Sequence, residues 1–413
     1  MIRTIFLSFF LLPSVLAQEK VKSDKNFQKE DSSSVLVLKQ QNNDHRYKHL
    51  KTFSDVLNII ESSYVRKIST EQLTQGAIKG MIKELDPHSH FLSAEELNTF
   101  KQEAKGQFKG FGIELAIKNK QLIVIAVLAN SPAQAAGLKA GHIVIQINNQ
   151  KTIGLNRKEI NNLLKNKMKN KISLLIKDPN SKKTNQIELQ SKIIDVHSVS
   201  YRDLGNQFLY IRINTFTKRT FSEVQKAINK YKKKEGHISH FDLKGLLLDL
   251  RGNPGGLFES AIKIADLFIK QGIIVSIKGR VKDHDQTFKA SSYNTLSDFP
   301  MLVLIDSYSA SSAEILAGAL QENNRAILLG RKSFGKGSVQ SLIPLEDGNG
   351  VKLTVAHYYT PKGHSIHEQG IQPDIEFKLK ESAATEDTDF LQAISLLKMF
   401  KFFNFATSPP SGP

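Results

Sequence analysis

The sequence of 413 residues contains no cysteine and no tryptophan, and it has few acidic residues for its number of basic ones. The absence of cysteine excludes disulfide bonds, thiolate metal sites and cysteine nucleophiles. Lysine and arginine number 57 against 40 aspartate and glutamate residues, which gives a formal charge of +17. Such an excess can indicate nucleic acid or an anionic membrane face as a partner. Because no dense basic block with interleaved aromatic residues occurs, we expect no nucleic-acid binding.

Long hydrophobic runs are missing as well, although 40% of the residues are hydrophobic, as in soluble globular proteins. The apolar run from Ile5 to Leu12 is short for a membrane span of about 20 residues. It follows Arg3 and precedes Val15 and Ala17, which suit a cleavage site after residue 17. Residues 1–17 are therefore predicted to be a secretory signal peptide, and the protein to be periplasmic or otherwise exported. A retained signal sequence is the alternative, with membrane association that is peripheral at most.

Residues 18–192 fall into three segments that differ in composition and in the spacing of their apolar residues. Residues 18–48 are polar and charged, and we interpret them as a linker or disordered arm. Residues 49–106 carry apolar side chains at helical spacing, with a capping box that starts at Ser69. Residues 107–192 read as short strands with two helices, which predicts a small β-sandwich module.

Strands alternate with helices in residues 193–385. This alternation predicts a largely parallel sheet with right-handed crossovers. Residues 386–413 are expected to form a C-terminal helix and a loose tail. The fold class is therefore a multidomain α/β protein with a helical N-terminal region.

The segment LGRKSFGKGSVQ, residues 329–340, has the glycine and lysine spacing of a phosphate loop. A phosphate loop needs Ser or Thr directly after the lysine, and a helix behind it. Here Gly337 follows Lys336, and the next residues alternate like strands. Both requirements fail, so we expect no nucleotide site.

A serine-rich turn joins a strand to a helix in MLVLIDSYSASSAEILAGAL, residues 301–320. Free amides and the helix dipole favour negative charge at such a junction. Ser311 could therefore be a nucleophile, with the amide of the next residue in an oxyanion hole. Ser311 and Glu314 also have the spacing of a capping box, and capping serines are far commoner than nucleophiles.

A serine nucleophile needs a base, and none of the 12 histidines lies near this turn in sequence. His364 and His367 have no carboxylate pattern that would suggest a metal site, and we interpret them as loop residues. A buried lysine is the other option, provided that its reference pKa of about 10.4 is lowered. Lys336 has a glycine on each side, and Gln340 would share its face in an extended segment. An exposed turn lysine is the alternative.

A third element, LLLDLRGNPGGLFESA, is a buried strand followed by a glycine-rich loop and a helix. Gly255 and Gly256 offer amides that no side chain obstructs. A tight turn between strand and helix is the simpler explanation. Asp249 and Arg251 are expected to pair within the scaffold.

Together these segments resemble the C-terminal processing peptidases, also called tail-specific serine proteases, over about residues 50 to 380. LTQGAIKGMIKELDPHSHFLSAEE is similar to their helical N-terminal region, and FKGFGIEL with IAVLANSPAQAAGLKAGHIVIQINNQ is similar to their PDZ domain. LLLDLRGNPGGLFESA, SASSAEILAGALQENNRAILLGRKSFGKGSVQ and TVAHYYTPKGHSIHEQGIQPDI are similar to their catalytic core. The resemblance implies a crotonase/ClpP-like α/β core with an inserted PDZ domain at residues 107–192.

The resemblance also implies roles in peptide hydrolysis. It assigns the nucleophile to Ser311, the general base to Lys336 and a supporting role to Gln340. It places the oxyanion between the amide of Ser312 and that of Gly255 or Gly256. It implies no metal, nucleotide or other cofactor.

One departure from the family pattern lies in the turn that carries the nucleophile. The family's turn Ser-Ala-Ser-Ala-Ser-Glu reads Ser-Ala-Ser-Ser-Ala-Glu over residues 309–314, which places a second hydroxyl, Ser312, beside the nucleophile. Some members carry an acidic residue in the helix after the nucleophile, where this chain has Glu322, which we interpret as structural.

The loop KGFGIEL is the predicted peptide-binding site of the PDZ domain. Its residues Gly110, Phe111, Gly112 and Ile113 can turn amides toward a chain-terminal carboxylate, and the next strand can pair with an extended peptide. An ordinary β-turn is the alternative. The expected partners are protein or peptide C-termini, while an adaptor and self-association stay open. Two rival functions are a catalytically inactive PDZ-bearing scaffold and a crotonase-like acyl-CoA enzyme.

Overall fold

The computed structural model describes most of the chain with several gaps. The described stretches are residues 32–118, 120–128, 130–164, 170–179, 184–234, 243–282, 285–291, 295–296, 299–377 and 387–400. The predicted signal peptide over residues 1–17 and the predicted tail after residue 400 lie outside them. Within these stretches no helix is both long and apolar enough to cross a membrane.

The chain divides into two compact units. The described part of the first, the helical unit, is residues 32–93 together with Ser341–Thr354. The second, the core unit, contains the described residues of Ala94–Gln340 and of the chain from Val355 onward.

The helical unit begins with a long helix. Its first elements are α1 (Ser32–Ser63), α2 (Thr70–Lys83) and β1 (His90–Leu92). The predicted cap of α2 is confirmed, because the Ser69 hydroxyl oxygen accepts a hydrogen bond from the Gln72 amide at 3.2 Å. The linker predicted over residues 18–48 is wrong from residue 32 onward, where α1 already runs. No glycine or proline interrupts residues 32–63, and the Lys and Gln residues in the polar part are good helix formers.

The core unit starts with a strand-rich module. Its elements are α3 (Ala94–Ala104), β2 (Gln107–Gly110), β3 (Ile113–Lys118), β4 (Gln121–Val127), α4 (Pro132–Ala135), β5 (Ile143–Ile147), β6 (Gln150–Lys151), α5 (Arg157–Leu164), β7 (Lys171–Lys177), β8 (Thr184–Gln190) and β9 (Lys192–Asp195). An antiparallel sheet has the order β3-β4-β5-β7-β8, with β6 beside β5, while β2 pairs with β9. Alternate residues such as Leu122 and Val124 fill its core.

An α/β sheet follows in the core unit. The remaining elements are β10 (Val199–Asp203), β11 (Phe208–Ile213), α6 (Thr220–Lys234), β12 (Gly245–Asp249), α7 (Phe258–Phe268), β13 (Ile273–Gly279), β14 (Gln286–Lys289), β15 (Met301–Ile305), α8 (Ser312–Glu322), β16 (Ile327–Gly330), β17 (Ser338–Pro344), β18 (Gly350–Tyr359), β19 (Ile375–Glu376) and α9 (Thr388–Phe400). The sheet order is β10-β11-β12-β15-β16-β19, and every neighbouring pair except β10 with β11 is parallel. The predicted parallel sheet is confirmed.

Three neighbouring strands, β12, β15 and β16, position the candidate site. Because they are parallel, their carboxyl ends meet at one edge of the sheet, where ligands of α/β proteins commonly bind. The loops that leave these ends carry the glycine pair, the serine turn and Lys336. Helix α9 packs on the sheet through Ala393 and Leu397, and a side chain at Gly245 would meet Leu397.

Strands β17 and β18 pair with each other after the lysine loop. In the core unit, residues 356–359 of β18 pair with β13. In the helical unit, residues 350–352 of β18 pair with β1. Strands rather than a helix therefore follow Lys336, as the sequence predicted when it excluded a phosphate loop.

Candidate active site

Ser311 lies at the start of α8 in a rare backbone conformation. Its φ of 61° with ψ of −117° is unusual for a residue with a side chain, and such strain costs on the order of 1–3 kcal/mol. The residue is fully buried, and among the described residues its Oγ has no hydrogen-bond partner. Half of the predicted capping box is present, because Glu314 accepts from the Ser311 amide, but the Ser311 hydroxyl does not cap the helix. A strained, buried serine with an unused hydroxyl fits a nucleophile better than a cap.

The serine turn is fixed to the loop that follows β12. The Ser309 hydroxyl donates to the Leu250 carbonyl at 2.9 Å, and the Ala310 amide donates to the Asn253 carbonyl at 2.9 Å. Asp306 accepts from the amide of Gly252 at 2.9 Å in the same loop. The residue before Ser311 is therefore held by direct bonds to the glycine-rich loop.

The glycine pair packs directly against Ser311. A Cβ atom on Gly255 would lie 2.7 Å from the Ser311 Cβ and 3.1 Å from the Ser312 amide nitrogen. A Cβ atom on Gly256 would lie 2.1 Å from the Phe216 carbonyl oxygen. Both glycines also have positive φ angles, of 102° and 140°. Only glycine leaves room at these positions, and the space beside the Ser312 amide stays open.

The amides predicted to bind an oxyanion differ in their hydrogen bonding. The Gly255 amide donates to Asn253 Oδ1 at 2.8 Å, so it would have to exchange that acceptor for a substrate oxygen. The Ser312 amide is the first of α8, where amides have no acceptor within the helix. The Ser312 hydroxyl donates to the Gly256 carbonyl at 2.9 Å, so it is occupied where the Ser311 hydroxyl is not.

Lys336 is buried, with 9% of its surface exposed, so its interpretation as an exposed turn lysine is wrong. The flanking glycines allow close packing, since a Cβ atom on Gly337 would lie 2.3 Å from the His367 amide nitrogen. Gln340 is fully buried in β17 and donates to Ser338 Oγ at 3.4 Å. The extended segment predicted to run from Lys336 to Gln340 begins only at Ser338, because the lysine still belongs to the loop.

Glu314 connects the serine and the lysine, a role that the sequence reasoning missed. Its Oε2 accepts hydrogen bonds from the Ser311 amide at 2.6 Å and from the Lys336 amide at 2.9 Å. Its Oε1 accepts from the Gly335 amide and the Ser333 hydroxyl, both at 2.6 Å. Burial raises the pKa of the Glu314 carboxyl, and the four donors oppose that change. Since all four partners donate, the carboxylate form suits this position.

His364, which was interpreted as a loop residue, lies beside a carboxylate. The His364 Nδ1 lies 2.8 Å from Glu322 Oε1, a carboxylate partner that the sequence pattern did not suggest. Glu322 also accepts from the Thr360 hydroxyl and the Lys362 amide. Across the described ranges, no three histidine, aspartate or glutamate side chains are grouped to hold a metal ion.

The predicted peptide-binding loop lies at one edge of the strand-rich module. Gly110 ends β2 and Ile113 begins β3, which stands first in the order of its sheet. Gly112 has a φ of 76°, and a side chain there would overlap Ser131. The Phe111 side chain is partly buried against the core of the module.

Profiles of three known families match the chain in succession. They are the activating protease CtpB N-terminal domain over residues 14–96, the PDZ domain over residues 99–177 and peptidase family S41 over residues 207–377. A carboxy-terminal-processing protease of Bartonella bacilliformis is 38% identical over 351 residues, which cover 83% of this chain and 79% of that protein. A probable CtpA-like serine protease of Staphylococcus epidermidis is 34% identical over 348 residues, which cover 83% of this chain and 69% of that protein. The solved structure of a photosystem II D1 C-terminal processing protease is 26% identical, covers 81% of this chain and 89% of that one, and has a TM-score of 0.49.

Proposed function

We propose that this chain, which belongs to peptidase family S41 and is a serine-type peptidase, is an endopeptidase that cleaves protein substrates near or from their C-terminus. Ser311 and Lys336 form its catalytic pair. The observation that carries this proposal is the Glu314 oxygen that accepts from the amides of both residues. One buried atom thereby fixes the distance between two loops that come from different strands.

The proposed mechanism gives each of these groups a role. Ser311 Oγ attacks the scissile carbonyl carbon, while the neutral Lys336 amine accepts the hydroxyl proton. The lysine then donates that proton to the leaving amine as the peptide bond breaks. Water hydrolyses the acyl-enzyme with the lysine again as base. Gln340, buried two residues into β17, supports the lysine.

The oxyanion of the tetrahedral intermediate lies at the start of α8. The Ser312 amide donates to it, and an amide of Gly255 or Gly256 is the second donor. Loss of one such donor costs about 2.7–4 kcal/mol in the barrier. Because Ser311 Oγ is buried, the residues that cover it must move before a substrate enters.

Substrate tails bind to the PDZ domain. The domain match and the edge position of β3 support this step, because an extended peptide can add to a strand edge. The amides of Gly110, Phe111, Gly112 and Ile113 face the terminal carboxylate. A peptide with an amidated C-terminus is therefore expected to bind at least tenfold more weakly than the free acid. Equal affinities in a calorimetric titration would refute tail recognition.

We also propose that the protein acts outside the cytoplasm. The charged, apolar and small-residue pattern of residues 1–17 supports export. N-terminal sequencing of the protein recovered from the producing cell tests this proposal. A mature N-terminus at Gln18 is expected, whereas an intact Met1 would contradict cleavage.

Cleavage of a peptide with an apolar C-terminus tests the catalytic pair. Ser311→Ala and Lys336→Ala are each expected to remove activity, while the exposed neighbours provide matched controls in Ser307→Ala and Lys332→Ala. Activity that survives in both catalytic variants would refute the pair. Activity that survives in Ser311→Ala but is lost in Ser312→Ala would move the nucleophile by one residue. An inactive wild-type protein that binds the peptide tightly would support the scaffold instead.

A further inference from the structure

Helix α9 ends the described chain far in sequence from the catalytic loops, yet its first turn contacts two of them. Asp387 precedes the helix, and Asp389 lies in its first turn. Asp387 accepts two hydrogen bonds from Arg251, both at 2.8 Å. Asp389 accepts two from Arg331, at 2.8 and 3.3 Å. We name these four residues the arginine–aspartate ladder.

The two arginines of the ladder belong to the loops that flank the serine turn. Arg251 follows β12, in the loop that reaches the glycine pair at Gly255. Arg331 follows β16, in the loop that reaches Lys336. Strand β15, which leads to Ser311, lies between β12 and β16 in the sheet. The ladder therefore spans from one flanking loop to the other across the strand that carries the nucleophile.

The ladder is anchored at both of its ends. Asp249 is fully buried and accepts from Arg251 at 2.7 Å, so this arginine bridges two carboxylates. The pKa of Arg251 is raised because hydrogen bonds to Asp249 and Asp387 outweigh the lowering effect of burial. At the other end, the Arg331 amide donates to the Ile305 carbonyl at 3.1 Å. Paired hydrogen bonds between guanidinium and carboxylate fix orientation as well as distance.

The body of α9 holds the ladder in place. Ala393 and Leu397 are fully buried among residues of all three strands that carry the site, Leu247 of β12, Leu304 of β15 and Leu329 of β16. Phe390 also packs edge-on against Tyr210, with ring centroids 4.9 Å apart. Because the helix is fixed to the sheet, its two aspartates are fixed relative to the strand ends.

We propose that the first turn of α9 positions the oxyanion loop and the lysine loop relative to Ser311, with Asp389 acting through Arg331 and Asp387 through Arg251. None of these four residues touches the substrate. Their role is to keep Lys336 and the glycine pair at the distances that proton transfer and oxyanion binding need. This inference rests on the proposed catalytic pair of Ser311 and Lys336.

Kinetics of Asp389→Asn against Val224→Ala test the inference, since Val224 is fully buried in α6 and is not part of the ladder. Both variants lower the thermal midpoint, but only the first breaks the ladder. Well below both midpoints, Asp389→Asn is expected to lower kcat about tenfold with KM nearly unchanged, because misplaced catalytic groups lose rate rather than binding. Val224→Ala is expected to keep kcat within about twofold, and Asp389→Glu to recover most of the rate lost in Asp389→Asn.

The rate at which a fluorophosphonate labels Ser311 is the second measurement, since it needs no bound peptide. It is expected to fall with kcat in Asp389→Asn. Equal kcat values in Asp389→Asn and Val224→Ala, or no recovery in Asp389→Glu, would overturn the positioning role. If Ser311→Ala is inactive while Asp389→Asn is fully active, this inference alone fails. If Ser311→Ala is active, the proposed catalytic pair fails first.

Discussion

Two buried carboxylates near the carboxyl edge of the same sheet are stabilised in different ways. Asp249 accepts from the Arg251 guanidinium at 2.7 Å and from the Tyr210 hydroxyl at 2.9 Å, and Arg212 lies 3.4 Å away. Glu314 accepts from three backbone amides and one hydroxyl. The charge of Asp249 is thus balanced by arginines of the scaffold. Glu314 is held by the backbone of the two loops that carry the proposed chemistry.

Because their partners differ, mutations of the two carboxylates are expected to affect different quantities, the stability of the fold in one case and the catalytic rate in the other. The charge partners of Asp249 are arginines of the scaffold, so loss of this carboxylate first lowers the free energy of unfolding. Glu314 binds the amides of Ser311 and Lys336, the proposed nucleophile and base, and so determines where these residues lie. We therefore expect loss of Asp249 to act mainly on folding, and loss of Glu314 mainly on kcat.

Asp249→Asn is the largest expected effect on stability. It removes the buried partner of Arg251, which then keeps only the half-exposed Asp387, and breaking a buried pair costs about 3–5 kcal/mol. Urea unfolding measures this loss. Asp266→Asn is a matched control, because Asp266 accepts from the amide and hydroxyl of Ser291 without an arginine. Its cost is expected to be about 1 kcal/mol. Equal losses in the two variants would remove the distinction between the carboxylates.

Glu314→Gln is expected to lower kcat about 100-fold, because misplacement of catalytic groups by about 1 Å has that cost. The new amide group would face N–H and O–H donors, so the loops that carry Ser311 and Lys336 must shift. Steady-state cleavage at a temperature where the variant is folded measures the effect.

Glu322→Gln is the control for that experiment, on the last residue of the same helix. Glu322 also accepts from a hydroxyl, an amide and a histidine, but its partners lie in residues 360–364. Its kcat is expected to stay within about twofold of wild type, since its partners in residues 360–364 are not among the proposed catalytic groups. A loss of rate in Glu322→Gln as large as in Glu314→Gln would show that α8 acts as a whole.

The sequence was sufficient to predict the parallel sheet and the burial pattern of its strands. Alternation of strand and helix gives the topology, and the apolar strands at residues 245–249 and 301–305 proved fully buried. Strands after Lys336 were predictable because alternation and turn residues are local signals. The choice of Ser311 and Lys336 needed the family resemblance, since capping serines and exposed lysines are commoner on pattern alone.

The second role of Glu314 was not predictable from local pattern. Its spacing from Ser311 indicates a capping box, but its other donors lie 19 to 22 residues further along the chain. The same holds for Asp387 and Arg251, which are 136 residues apart. Contacts of this kind depend on which strand ends become neighbours, and no periodicity in the sequence encodes them. The start of α1 at residue 32 was missed for the opposite reason, because a polar composition hid adequate helix propensity.

Asp387→Asn is expected to have the smallest effect. Arg251 links Asp387 to Asp249, and the pH dependence of stability tests the contribution of Asp387 to this network. The hydrogen bond to Arg251 lowers the pKa of the Asp387 carboxyl below its ordinary value of 3.8. A lowered pKa contributes stability above the unfolded value, and this contribution is lost as the pH falls through the folded value. Because half of the Asp387 side chain is exposed, we expect its charge to contribute about 0.5 kcal/mol to the free energy of unfolding at pH 7.

Asparagine also caps helices well, so the substitution at residue 387 removes the charge and leaves the cap at the Phe390 amide. Urea unfolding between about pH 2 and pH 7 measures the free energies of unfolding of the wild-type protein and of Asp387→Asn. Their difference should be constant above the ordinary pKa of aspartate, and it should disappear at lower pH as Asp387 takes up its proton. Added salt at neutral pH should reduce the difference as well, because the pair is open to solvent. A difference that persists unchanged into acid would mean that the contribution of Asp387 is not electrostatic, and the contrast with Glu314 would then rest on geometry alone.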